Sequence, residues 1–183
     1  DNIDCDYAKE HGIYVGRTVG SNSLSVAEHV AALMFADAKN LYTTCRDVKE
    51  GLWKKRTGIE LSGKKLGIIG YGAIGKKLAR IANGIGMKVL AFDVLPISEY
   101  DAKESAVTVS SLENIITESD YISLHVPLLS STHNMISMPQ FKAMKREACV
   151  INAARGGVVD EKALYNALVG GEIRSAAFDV YTT

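Results

Sequence analysis

Cysteine is scarce in this sequence. Cys5, Cys45 and Cys149 are the only three in 183 residues, an odd number without metal-like spacing. Neither a disulfide framework nor a zinc site is therefore expected, and a reducing cytoplasm is the default compartment. Cys149, set in Ala148-Cys149-Val150-Ile151, reads as a small buried hydrophobe rather than a nucleophile. An excess of charge is also missing, since 21 Lys and Arg balance 21 Asp and Glu. Without a basic stripe or an acidic tail, a nucleic-acid partner is not expected. No apolar run is long enough to cross a bilayer and no secretory signal opens the chain, so no membrane partner is expected either. Internal repeats and low-complexity tracts are lacking. What is present, 47% hydrophobic and 23% charged residues, is the mix of a globular chain with a core. Its length suits one domain, or one domain with a piece of another. The chain opens at Asp1 without Met and stops at Thr183 after an apolar run; both ends read as cuts in a longer polypeptide.

Residues 4–11 read as a short helix and 13–15 as a strand. A polar loop through Arg17 to Asn22 leads to a long helix, with Ser25 and Glu28 in the capping-box pattern. Val26, Val30, Leu33, Met34 and Leu41 follow helical spacing, while Ala27, Ala31, Ala32, Ala36 and Ala38 keep the other faces small. Residues 51–63 form a polar connection that holds the only tryptophan, Trp53. From Lys64 the texture changes: strands are expected at 66–69, 88–92, 107–109, 121–125, 149–152 and 176–179. Helices are expected at 74–83, 112–118, 138–144 and 161–169, with a cap at Ser137 and Gly170-Gly171 at the end of the last. Apolar strands alternating with helices imply an α/β fold, a doubly wound parallel sheet covered on both faces.

The strongest local signal is Gly70-Tyr71-Gly72-Ala73-Ile74-Gly75, which follows a buried strand and opens a helix. Gly70 permits a tight turn, Gly72 lets the backbone approach a pyrophosphate, and Gly75 lets helix and strand pack closely. The helix start then offers unpaired amides to phosphates. The next strand ends at Asp93, at the spacing of a carboxylate that grips the adenosine ribose, so this is a dinucleotide fingerprint favouring NAD over NADP. Arg155, in Asn152-Ala153-Ala154-Arg155-Gly156-Gly157, lies at another strand's carboxyl end, where its guanidinium can clasp a carboxylate. An ion pair with a nearby acid such as Asp160 is the competing use. Among the four histidines, His11 reads as a helix-end surface residue, and His29 and His133 have no acid at telling spacing. His125, before Val126-Pro127, is placed to line the cleft. None of the four stands out as a general base.

Several blocks together resemble the D-isomer-specific 2-hydroxyacid dehydrogenase family, with its phosphoglycerate dehydrogenase branch as the nearest look. They are Asp1-Asn2-Ile3-Asp4, Asn22 through Glu28, the glycine loop, His125-Val126-Pro127, and Asn152 through Gly156 with Val159-Asp160, all in family order. The resemblance implies a Rossmann NAD-binding domain over 23–183, with 1–22 a remnant of the substrate domain. It implies an NAD-dependent oxidoreductase interconverting a D-2-hydroxy acid and a 2-keto acid. Arg155 would bind the substrate carboxylate and touch the cofactor, and Asn22 would sit beside the substrate. Gly70, Gly72, Ala73, Ile74 and Gly75 would hold the pyrophosphate and Asp93 the ribose. His125, Val126, Pro127 and Thr132 would line the adenosine and ribose side, with Ala153 and Asp179 near the nicotinamide. The helix starting near Ser25 would serve a homodimer.

Two departures stand out. Arg17-Thr18-Val19 replaces the family's frequent Asn-x-Pro, where a cation would suit a doubly charged substrate or simply change the surface. The family's catalytic acid would fall just past Thr183 and its general-base histidine further on, so this stretch alone is expected to turn over little. An NAD-sensing corepressor of the same fold and a formate dehydrogenase are the alternative readings.

Overall fold

The structure is a computed structural model and describes residues 3–16, 18 and 20–182. Short apolar runs bounded by glycine or polar turns become six strands: β1 (Lys65–Ile69), β2 (Lys88–Phe92), β3 (Val107–Val109), β4 (Tyr121–Leu124), β5 (Cys149–Asn152) and β6 (Ser175–Phe178). All pair in parallel, in the order β3-β2-β1-β4-β5-β6. Parallel neighbours need crossovers, and helices supply them. They are α4 (Ala73–Gly84), α5 (Glu99–Glu104), α6 (Leu112–Glu118), α7 (Met138–Ala143) and α8 (Glu161–Gly170). The direction of winding reverses between β1 and β4, which opens a crevice beyond their carboxyl ends.

Each face of the sheet has its own core. On one side Leu66, Ile68, Ala91 and Ile151 meet Leu78 and Ala82 of α4 and Val30, Met34 and Ala38 of the long helix α2 (Ser23–Ala38). On the other, Ile69, Ile122, Leu124 and Val150 meet Ile115, Phe141 and Leu164 from α6, α7 and α8. Strands apolar on both faces are what a doubly covered parallel sheet requires, and β4 and β5 are buried at every residue.

Helix α2 is fastened to the sheet by charge as well as by alanines. Arg174 donates to both carboxylate oxygens of Asp37 at 3.0 and 2.8 Å, and the Tyr121 hydroxyl donates to the same carboxylate at 2.7 Å. Burial pushes the Asp37 pKa up, but the hydrogen bonds from Arg174 and Tyr121 and the Arg174 charge hold the carboxyl below its usual range.

Four expectations from sequence need correction. No strand forms at 13–15: Ile13, Tyr14 and Val15 are exposed, and no described strand runs beside them. Helix α2 starts at Ser23 with Asn22 as its N-cap, so Ser25 lies inside the first turn and caps nothing. The Ser23 hydroxyl instead donates back to the Gly20 carbonyl at 2.7 Å. The long helix also stops earlier than its periodicity suggests. Asn40 takes a left-handed conformation at φ 54°, which a short polar side chain tolerates, and Leu41 begins a separate helix, α3 (Leu41–Lys49). Helix α5 was not anticipated at all. Elsewhere α1 (Cys5–Glu10) and the remaining elements keep their expected places within one or two residues. Arg17 lies outside the described residues.

Candidate functional site

The site grows from the reversal point of the sheet. β1 leads into Gly70, whose φ of +97° disfavours any side chain, and a Cβ there would come within 2.8 Å of the His125 carbonyl. The two strand ends therefore touch backbone to backbone, and the His125 amide donates to the Ile69 carbonyl at 2.8 Å. Gly75 faces the same turn from the first turn of α4, and a Cβ on it would lie 2.6 Å from the Gly70 carbonyl. Gly72 is different: a Cβ on it would meet nothing within 4 Å. Gly72 caps α4 without a side-chain hydrogen bond to the helix start, so no side chain competes for the first amides of α4.

Asp93, at the end of β2, braces this turn. Its Oδ2 accepts from the Tyr71 amide at 2.7 Å and its Oδ1 from the Leu95 amide at 3.0 Å. A cleft of about 450 Å³ opens here, lined by Gly70, Gly72, Asp93, His125, Val126 and Pro127, with Thr132 and Met135 further along. That is ample for a nucleoside-sized group. Thr132 shapes the wall: its hydroxyl donates to the Pro127 carbonyl at 2.6 Å and accepts from the Leu129 amide at 2.8 Å. A smaller hollow of about 170 Å³ joins the glycine loop to the start of α2 through Asn22, Ser23, Gly72, Ala73, Ile74 and His125. Asn22 thus stands beside the glycine loop although fifty residues separate them in sequence.

His125 forms part of both walls. Its Nε2 pairs with the Ser123 hydroxyl at 2.9 Å, while its buried Nδ1 has no partner among the described residues. Burial pushes its pKa down to about 4, so the ring is neutral near pH 7. A neutral ring with one nitrogen tied to serine is a wall, not a proton shuttle.

At the end of β5, the buried Asn152 stitches the loop that carries Arg155. Its side-chain amide donates to the Arg155 carbonyl at 2.9 Å, and its oxygen accepts from the Ala154 amide at 3.1 Å. Arg155 is exposed, and its Nη1 donates to the Ala154 carbonyl at 2.7 Å. Asp160, the competing partner weighed from sequence, is spent elsewhere. It caps α8 through the Ala163 amide and accepts from the Ser137 hydroxyl, and these bonds hold its carboxyl below the usual range. Asp179, just past β6, lies with His29 of α2, Nε2 to Oδ1 at 3.6 Å. The strand ends therefore bring the glycine loop, Asp93, His125, Ala153 with Arg155, and Asp179 to one edge of the sheet. Arg155, Ala153 and Asp179 lie outside the lining of the main cleft.

Sequence reasoning missed Asn152 as a support and the His29–Asp179 pair. A buried asparagine closing an apolar strand was a usable signal for the first. Nothing local signals the second, since 150 positions separate its members. Cys149 is buried with its thiol pushed up to about 12 by burial first and the Asp37 charge second, so it is inert. Among the described residues no group of three or more His, Cys, Asp or Glu is placed to hold a metal.

Known proteins share this fold. Residues 31–183 match the model of the D-isomer specific 2-hydroxyacid dehydrogenase NAD binding domain. The chain is 43% identical to D-3-phosphoglycerate dehydrogenase of Archaeoglobus fulgidus, over 99% of this chain and 34% of that protein. It is 45% identical to glycerate dehydrogenase of Methylorubrum extorquens, over 98% and 57%. Among solved structures, the pyruvate reductase of Chlamydomonas reinhardtii superposes with a TM-score of 0.91 at 37% identity, covering all of this chain and 54% of that one. D-lactate dehydrogenase from Aquifex aeolicus, complexed with NAD and lactic acid, superposes with a TM-score of 0.86 at 39% identity, over 99% and 55%. The chain thus spans 31% to 58% of the length of these and similar curated relatives. Matched along most of its length, it belongs to the D-isomer-specific 2-hydroxyacid dehydrogenase family and carries that family's NAD-binding domain.

Proposed function

We propose that this chain is the cofactor-holding part of an enzyme that interconverts a D-2-hydroxy acid and a 2-keto acid with NAD, in the manner of a phosphoglycerate dehydrogenase. The observation that carries the reading is the continuous wall from Gly72 through Asp93 to His125 at the reversal point of the sheet. The residues fit the group. Gly72 leaves open space where a diphosphate needs to approach, and no side chain caps the helix beyond it. Asp93 keeps acceptor capacity beyond its two amide bonds, since each carboxylate oxygen offers two lone pairs. When bound, the nicotinamide donates or accepts a hydride.

In this reading Gly70, Gly72, Ala73, Ile74 and Gly75 hold the pyrophosphate and Asp93 the adenosine ribose. Val126, Pro127 and Thr132 shape the adenosine wall, and His125 excludes water behind it. Ala153 and Asp179 border the nicotinamide. Arg155 binds the substrate carboxylate, turning its carbonyl toward the cofactor, and Asn22 contributes from the loop before α2. Residues 1–22 belong with the substrate domain and 23–183 with the NAD-binding domain. The protein acts in the cytoplasm as a homodimer, a reading supported by its unpaired cysteines and by apolar side chains exposed on α2, α3 and the following arm. No described helix is long and apolar enough to cross a membrane.

Calorimetric titration of the chain with NADH tests the core of this. Binding is expected, and Asp93→Ala should weaken it by roughly ten- to a hundredfold, the range of a charge-assisted hydrogen bond. No heat from the wild-type chain, or an unchanged affinity in the variant, removes the reading.

A further inference from the structure

Beside the main cleft lies a second hollow of about 150 Å³ that shares Gly72 and Asp93 with it. Its other walls are Tyr71, Lys76, Asp101 and the turn 95–97. Lys76 is the only cation lining it. The lysine is not available: its Nζ lies 2.9 Å from Oδ2 of Asp101. One turn further along α4, Arg80 Nη2 meets Glu104 Oε1 at 2.6 Å. Both acids come from α5, three positions apart and so on one helix face. Ser98 fixes that helix, accepting from the Asp101 amide at 3.1 Å and donating its hydroxyl to Asp101 Oδ2 at 2.9 Å. The charges lining the hollow are two carboxylates and one ammonium, a net negative site.

We propose that α5 is a cofactor-selectivity device. By holding Lys76 in an ion pair with Asp101, it withholds the one cation that a 2′-phosphate on the adenosine ribose would meet, and so reinforces the preference for NAD over NADP. The inference rests on Asp93 marking the ribose position. A phosphate on that ribose would enter the hollow next to Asp93 and find Asp101 already on the lysine. Repulsion from Asp93 alone is a single charge, softened by the two amides it already accepts. A second carboxylate that also neutralises the local cation removes the compensation a phosphate would otherwise gain. The acidic run Glu99-Tyr100-Asp101 through Glu104 thus acquires a role that its lack of apolar periodicity leaves unexplained.

The test is competition of NADPH against bound NADH, followed by calorimetry, in the wild-type chain, Asp101→Asn and Lys76→Gln/Asp101→Asn. Asparagine keeps an acceptor for the Ser98 hydroxyl, so α5 retains its cap. Asp101→Asn is expected to tighten NADPH by roughly three- to tenfold at low salt, the range set by partly exposed charge pairs. NADH affinity should stay within about twofold, because it places no charge in the hollow. The double variant should lose the gain, which a general loosening of α5 would not do. NADPH affinity unchanged in Asp101→Asn, a parallel gain for both dinucleotides, or a gain that survives Lys76→Gln overturns the proposal. If the wild-type chain binds no NADH, the dinucleotide reading falls and takes this inference with it; NADH binding without the NADPH response removes only the role of α5.

Discussion

His125 illustrates how one side chain answers two demands. The backbone must leave β4 close enough to touch Gly70, and the cleft behind it must stay dry. A half-buried imidazole with its Nδ1 covered, whose Nε2 meets the Ser123 hydroxyl, satisfies both, provided it stays neutral. Burial ensures that by moving its pKa from 6.5 to about 4. The sign of the linkage follows. Between those two values the unfolded chain binds more protons than the folded one, so stability rises with pH there. The contribution is full above the unfolded value and is lost as pH falls toward the folded one. Urea unfolding at pH 7.5 and pH 5 should therefore differ by about 2 kcal/mol more in the wild type than in His125→Gln, the linkage expected for a shift of this size. Equal pH slopes in the two proteins would show that the ring is solvated in the folded state. The places of Asp93 and Arg155 just past strand ends were legible in the sequence, whereas this burial was not: the sequence places His125 at the cleft but is silent about Ser123 behind it.

At the scale of elements, the fastening of α2 decides whether Asn22 stays beside the glycine loop. Alanines let α2 lie close on α4, but alanine packing is smooth and permits sliding. Asp37, Arg174 and Tyr121 supply the register, joining α2 to the segment between α8 and β6 and to β4. Breaking a largely buried pair leaves an uncompensated charge, so Asp37→Ala should lower unfolding stability by about 3 kcal/mol. Removing the polar groups together is different. Asp37→Leu/Arg174→Met/Tyr121→Phe should recover most of that loss, because well-packed apolar replacements avoid the desolvation penalty. A triple variant as unstable as Asp37→Ala would mean that the pair itself, not the stranded charge, holds the helix. The elements most legible in the sequence were those with a full apolar face, such as α4 and α8, and the short buried strands. Those misread had competing local signals. The 13–15 run has strand-like residues but no neighbour to pair with among the described residues, and Ser25 has a capping pattern that Asn22 pre-empts three residues earlier. The break at Asn40 comes from one left-handed residue, whose side-chain Nδ2 donates to the Thr57 carbonyl while Lys39 Nζ donates to that of Ile59. Helix α5 buries nothing, so hydrophobic period had nothing to report.

For the whole molecule, the reversal of winding between β1 and β4 gathers groups from five strand ends onto one edge, and short apolar strands alternating with helices made that architecture readable in advance. What sequence pattern does not reveal is which surfaces stay unfinished. On the outer side of α2 and α3 the chain exposes Leu24, Phe35, Leu41, Tyr42 and Val48, and the arm after α3 carries Trp53 at 94% exposure. Three of these, Phe35, Tyr42 and Trp53, are large aromatics, the residue type enriched at protein interfaces, and a solvated tryptophan is an unfavourable use of apolar area. The arm has little internal structure of its own. It is held near the end of α2 by the Lys39 and Asn40 contacts and to α3 by Arg56, which meets the buried Asp47 at 2.6 Å. An arm anchored at its far end but presenting its tryptophan outward suits capture by a second copy of the chain, as the proposed homodimer requires. Since Trp53 is the only tryptophan, its emission reports that event without interference. Sedimentation velocity should find a species twice the 19.7 kDa chain mass. Over the same concentration range the emission should move to shorter wavelength as the ring leaves water. Trp53→Ser should shift the assembly toward monomer while NADH affinity is retained, because the arm lines none of the hollows around the glycine loop. A wild-type chain that stays monomeric at high micromolar concentration, or a dimer indifferent to the loss of Trp53, would place the partner surface elsewhere.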